Sequence, residues 1–350
     1  MDKTKSSALK GMAVLMVIVS HFPKILVLPG MLNNMLSPLG YHGVAIFLLL
    51  SGYGCNKSIQ NKSIINFCTR RVLSIVPELV IVTLVSICFE FLINGTHYSI
   101  VQITLNALGI RSDILELTWY ILFQYVCYIG LCIMMIIPFL KKRPVMFALL
   151  FALIVFLICL LPAESIRSIT IYWGINFASF SAGILLAEEN TGLHKLISNL
   201  KTTFFSLIPL VIWGGFFGLI YFVLGNPNEI LLRNMLKGLL SCWFAISVYS
   251  IFTHISVKPV ENILANVGKY SYELYLTHGV FVFIIPSFFK YGYVMIIPFF
   301  IIIFISSMAL KKMRNLFGKR KYILQGVEGS KSDVDAGNHL SEWANQREVL

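Results

Sequence analysis

Lys10 and His21 stand eleven residues apart inside the first apolar segment of this chain, Leu9 to His21. Eleven residues at about 100° each close to within roughly 20° of three turns, so a helix puts both side chains on one face, offset by about 16 Å. An ammonium group and an imidazole are costly in hydrocarbon and persist there where a cavity or a bundle interior solvates them. A neutral imidazole can take a proton from a hydroxyl near neutral pH, or accept an acyl group on nitrogen. His278 lies eight residues beyond Tyr270, about 12 Å along a helix, which brings the second imidazole to comparable depth. Glu90, in the third apolar segment, is a carboxylate that must find a partner, face a cavity or take up a proton.

Other polar groups interrupt the apolar segments. Ser51-Gly52 reads as a small-residue contact between helices. Thr118-Trp119-Tyr120, followed by Gln124-Tyr125, has the aromatic character of a membrane-interface anchor. There is no G-x-S-x-G elbow, H-E-x-x-H, P-loop or Rossmann glycine pattern, which removes most hydrolase, NTPase and dehydrogenase readings.

The elements that must position these groups are membrane helices. Of 350 residues, 57% are hydrophobic and 13% charged, against about 45–50% and about 25% in soluble domains. The expected fold is all-α, a polytopic bundle of about ten transmembrane helices near 8–28, 40–56, 73–93, 117–140, 145–162, 168–187, 203–224, 235–255, 271–289 and 292–311. The first run lacks a small-residue cleavage site and reads as a retained span. Basic clusters such as Lys3-Lys5-Lys10, Arg70-Arg71, Lys141-Lys142-Arg143 and Lys311-Lys312-Arg314 alternate with poorly charged loops, so both termini are expected in the cytoplasm. The net charge of +12 follows this topology, with no nucleic acid among the expected partners. Seven scattered cysteines form neither a CxxC pair nor a metal spacing and read as small buried hydrophobes, and no metal is expected. Two domains are expected: 1–311 in the membrane, and 312–350 as a basic, disordered cytoplasmic tail.

The order of these features resembles the acyltransferase 3 family. Lys10-x10-His21, the run Phe47 to Tyr53 ending Ser-Gly-Tyr, Arg70-Arg71 before Pro77, Trp119-Tyr120, and Gly268 to His278 (GKYSYELYLTH) follow one another over residues 8 to 311 as they do there. The resemblance implies a membrane O-acyltransferase acting on extracytoplasmic glycans. Its implied site has His21 and Lys10 as catalytic residues, and Arg70 and Arg71 at the phosphates of acetyl-CoA. Ser51, Trp119, Tyr120, Gln124, Tyr275 and His278 would form the substrate pocket. Arg suits phosphate through its planar fork of donors. The implied partners are membrane lipid and a polysaccharide or lipid-linked sugar acceptor, with a homo-oligomer left open, in the plasma membrane of a bacterium. Two positions depart from the family pattern. Ser74 replaces an arginine three residues before the proline, and Gln124 replaces a glutamate five residues after the tryptophan. The rival reading is a proton-coupled transporter or flippase of a glycan or lipid intermediate, with His21, Glu90 and His278 as its relay.

Overall fold

The computed structural model describes residues 2–59, 63–159, 172–198, 211–212, 215 and 230–326. Among them every regular element is helical. The helices that matter for the site are α1 (Lys3–Ser20), α2 (Leu39–Ile59), α3 (Ile64–Asn94), α4 (Trp119–Ile136), α5 (Pro144–Cys159), α6 (Ser179–Ala187), α7 (Ile230–His254), α8 (Lys258–Gly268), α9 (Ser271–Gly279) and α10 (Ile296–Gly326).

Among the described residues, six helical stretches are long and apolar enough to cross a membrane: Lys3–Ile25, Gly30–Ile59, Ile64–Asn94, Glu116–Ile136, Asn234–His254 and Gly292–Asn315. Six of the ten expected spans thus have full-length helices among the described residues. The fifth and sixth are represented by shorter apolar helices, Pro144–Ile158 and Tyr172–Ala187. The seventh, 203–224, lies almost wholly outside the described residues. Expected span nine, 271–289, is not one helix. α9 passes into a π-helical turn, Val280–Ile284, and then into a 3₁₀ turn that begins at Pro286, where the missing N–H stops regular hydrogen bonding.

Three boundaries change the reading of the site. α1 stops at Ser20 because Pro23 opens a separate short helix, Phe22–Ile25, so His21 caps α1 at a break inside the Lys3–Ile25 stretch. α3 begins at Ile64, capped by the Ser63 hydroxyl, which accepts from the Asn66 amide at 3.3 Å. Arg70 and Arg71, expected in a loop, are therefore helical and point about 100° apart. α10 runs past 311 to Gly326, so the first part of the expected disordered tail is helix. Residues from 327 onward lie outside the described residues.

The bundle is drawn together where two helices approach closely enough to exclude side chains. A Cβ on Gly52 of α2 would fall 2.1 Å from the Phe180 carbonyl oxygen, and one on Gly183 of α6 would fall 2.0 Å from that of Leu49. The small-residue contact expected at Ser51-Gly52 is therefore present, and Gly52 makes it. A second reciprocal pair joins α1 to α8. A Cβ on Gly11 would stand 2.0 Å from the Leu264 oxygen and one on Gly268 1.8 Å from that of Ser7. On the periphery, Ile297, Ile301 and Ile305 of α10 form an exposed stripe at four-residue spacing, an apolar face suited to lipid.

Candidate functional site

α1, α2, α3, α4, α8, α9 and α10 enclose a cavity of about 1160 Å³ near the end of the bundle that carries the N-terminus. Each helix contributes a stripe at helical spacing. From α2 come Phe47, Ser51 and Cys55, from α4 Tyr120, Gln124 and Tyr128, and from α9 Ser271 and Tyr275. Six cationic side chains line it (Lys3, Lys10, Arg71, Lys269, Lys311 and Arg314) against one carboxylate, Glu273. This charge balance suits a polyanionic ligand.

Arg71 is only 6% exposed. Its guanidinium lies 5.0 Å from the ring centre of Phe67 and 5.1 Å from that of Tyr128, which fixes the fork of donors at the cavity wall. Arg70, one position earlier, is half-buried and is not among the lining residues. The Tyr128 hydroxyl is shared. It accepts from Gln124 Nε2 at 2.6 Å and stands 3.4 Å from Ser51 Oγ.

Arg314 of α10 holds two carboxylates at once. Its Nη1 lies 2.5 Å from Glu78 of α3 and 3.5 Å from Glu273 of α9. Glu78 is fully buried beside Pro77. Lys311, one turn before Arg314, donates to the Lys269 carbonyl oxygen and lies 4.8 Å from the Tyr270 ring centre. These contacts pin the far part of α10 across α3 and α9 and make it one wall of the cavity.

The two histidines lie beyond the apolar end of this cavity. The Tyr120 and Tyr275 rings, both in the cavity lining, meet there with 5.4 Å between centroids, and the Tyr275 hydroxyl donates to the Leu117 carbonyl oxygen at 2.8 Å. The Tyr275 ring contacts His278 at 5.8 Å, and His278 contacts His21 at 5.3 Å. Past His21 comes Phe283 of the π-helical turn, 5.4 Å away and edge-on, with the Lys24 ammonium 4.6 Å from its ring centre. Lys24 pairs with Glu116 at 3.5 Å, both about half exposed. A single file therefore runs from the cationic cavity through Tyr275, His278 and His21 to a partly solvated ion pair.

Six of the residues expected at the site line the cavity: Lys10, Ser51, Arg71, Tyr120, Gln124 and Tyr275. His21 and His278 form the adjoining pair. Trp119 instead stacks on Tyr172, with ring centroids 4.8 Å apart and 18° between planes. Glu90 accepts from Asn94 and Thr96 near the end of its own helix, so the relay imagined for a transporter is not assembled with the histidines. Sequence reasoning passed over Tyr128, Glu78, Glu273, Lys269, Lys311 and Arg314 as site residues. Tyr128 continues the four-residue spacing of Tyr120 and Gln124 and was findable. Arg314 lies in 312–350, the segment expected to be tail.

A family model described as an acyltransferase domain, acyltransferase 3, matches residues 6–311. No curated protein and no solved structure matches the chain.

Proposed function

Because the chain belongs to the acyltransferase 3 family and is a membrane acyltransferase, we propose that it takes acetyl from acetyl-CoA on the cytoplasmic side and delivers it to a hydroxyl of a lipid-linked or surface polysaccharide. The observation that carries this reading is the union of a cationic cavity with an adjoining histidine pair, His278 fully buried and His21 half-buried. The donor combines a phosphate-rich head with an acyl-bearing arm, and the site offers complementary regions in the same order. Arg71, with Lys10, Lys269 and Lys311 also in the cavity lining, meets phosphate through charge-assisted hydrogen bonds. This supply of cations supports donor binding even though position 74 is serine. Ser51, Gln124 and the Tyr128 hydroxyl offer polar contacts to the amide-bearing arm. His21 takes the proton from the acceptor hydroxyl as that oxygen attacks the acyl carbon. With Gln124 unable to ionise, the imidazoles carry the proton chemistry. Both chain ends lie on the cytoplasmic side in this reading, and the Lys24–Glu116 end faces outward.

The test is to add acetyl-CoA to membranes bearing the protein, with polysaccharide from the native host present. Coenzyme A release over many turnovers should accompany ester-linked acetate on the polysaccharide, and both the sustained release and the ester should vanish with His21→Ala. A folded protein that neither binds the donor nor releases coenzyme A would not be this enzyme.

A further inference from the structure

His278 is fully buried, and its Nε2 has no hydrogen-bond partner among the described residues. Its Nδ1 lies 3.0 Å from the Leu274 carbonyl oxygen. His21 repeats the arrangement, with Nδ1 2.7 Å from the Val17 carbonyl oxygen. A carbonyl only accepts, so in each ring Nδ1 carries the proton and donates it. Both neutral imidazoles therefore keep the lone pair on Nε2, the form that acts as nucleophile or base. Neither can donate to the other, and a pair of this kind calls for a third party between or beside the rings.

Their order along the file separates their tasks. His278 touches Tyr275, which lines the cavity, whereas His21 touches Phe283, which the Lys24 ammonium covers. The first imidazole met from the cavity is His278, and His21 is the one nearer the exposed Lys24–Glu116 pair.

We infer that His278 is a second catalytic imidazole, which receives the acyl group from the donor and presents it to an acceptor hydroxyl deprotonated by His21. This deepens the acyl-transfer reading and rests on it. His278 Nε2 attacks the thioester carbonyl, a nitrogen–carbon bond forms as the carbon–sulfur bond breaks, and coenzyme A leaves as thiolate. The acyl-imidazolium is stabilised because its Nδ1–H remains bonded to the Leu274 oxygen. The acceptor hydroxyl then attacks the acyl carbon while His21 Nε2 removes its proton. The carbon–nitrogen bond breaks, and neutral His278 returns. The proton on His21 passes to solvent and a solvent proton neutralises the thiolate, so thioester plus alcohol gives ester plus thiol. A ring separation of 5.3 Å accommodates this sequence, because a hydroxyl about 2.8 Å from one nitrogen can stand against an acyl carbon on the other. Only the acyl-bearing tip of the donor reaches past Tyr275 to His278, and the head of coenzyme A stays in the cavity.

The decisive experiment is isotope exchange without acceptor, with labelled coenzyme A and unlabelled acetyl-CoA incubated with the purified full chain. Native protein and His21→Ala should both move label into acetyl-CoA, since the first half-reaction needs only His278. His278→Ala and His278→Gln should lose exchange by at least about 100-fold, the scale of a missing nucleophile or base, while still binding coenzyme A. The glutamine variant keeps side-chain volume and a polar tip, and its elution as the native oligomer in detergent separates lost chemistry from lost fold. Exchange that survives in His278→Gln and disappears in His21→Ala would reverse the assignment. A native protein that esterifies acceptor but shows no exchange would replace the covalent step with direct transfer. Absence of both exchange and esterification in folded protein would sink the acyltransfer reading itself, an outcome distinct from the other two.

Discussion

The cavity and the histidine pair lie in contact, yet they are built on opposite principles. The cavity is wide, lined by cations from α1, α3, α8 or its following turn, and α10, and held open by an ion-paired wall. The histidine pair is enclosed by aromatic rings on both sides, with its ring nitrogens tied to backbone oxygens one turn away. Charge in a wet cavity gives affinity and orientation for an anionic ligand. Packed imidazoles with fixed tautomers give a reaction geometry that does not have to be assembled for each turnover. The lesson is a division between binding energy and chemistry along one file of residues.

Substitutions can test that division by asking whether each region fails in its own way. The largest effect belongs to the histidine end. His21→Ala should lower ester formation by about 10²- to 10⁴-fold while coenzyme A affinity, read by calorimetry, stays unchanged; a parallel loss of affinity would mean the two regions are one. Next comes the wall. Arg314→Ala leaves fully buried Glu78 and nearly buried Glu273 without their shared guanidinium and should cost about 3 kcal/mol, seen as a lower Tm in detergent. Adding Glu78→Gln should recover part of that loss, and an unchanged Tm in the single variant would show that α10 is not pinned there. Smaller is the phosphate grip. Arg71→Ala should raise the donor KM by roughly 10- to 100-fold with kcat little altered, whereas Arg70→Ala should change KM by less than about twofold. Equal effects would contradict the helical separation of the two side chains. The smallest is Tyr128→Phe, which removes the hydroxyl shared by Gln124 and Ser51 and should weaken donor affinity by about 1 kcal/mol.

Much of this arrangement was legible in the chain itself. The spacing of Lys10 and His21 placed them on one side of α1, and the structure turns both toward α9, where Lys10 shares the cavity with Tyr275 and His21 meets His278. Counting residues brought the two imidazoles to one depth. Arg70 was harder, because a pair of adjacent arginines reads as a unit until it is known to lie on a helix. The distance of α3's start from the apolar run hid that fact: Ile64 to Arg71 is polar enough to resemble a loop, and the Ser63 cap is a weak local signal. Trp119 misled for a related reason, since neighbouring helical positions face different ways and only Tyr120 turns inward.

The sequence by itself determined the class of protein, the apolar helices and the residues able to do chemistry, because composition and periodicity act within a single segment. Only the tertiary structure decided which faces meet. The glycine pairs Gly52–Gly183 and Gly11–Gly268 let backbones approach so closely that the rotation of α2 against α6 and of α1 against α8 is fixed. Pro23 and Pro286 end helices beside the histidines and leave His21 and Phe283 in short irregular turns that can face each other. Arg314 became part of the site because α10 outlasts its apolar run and meets two buried carboxylates. Such meetings depend on the packing of segments far apart in the chain, and no period within one segment encodes them.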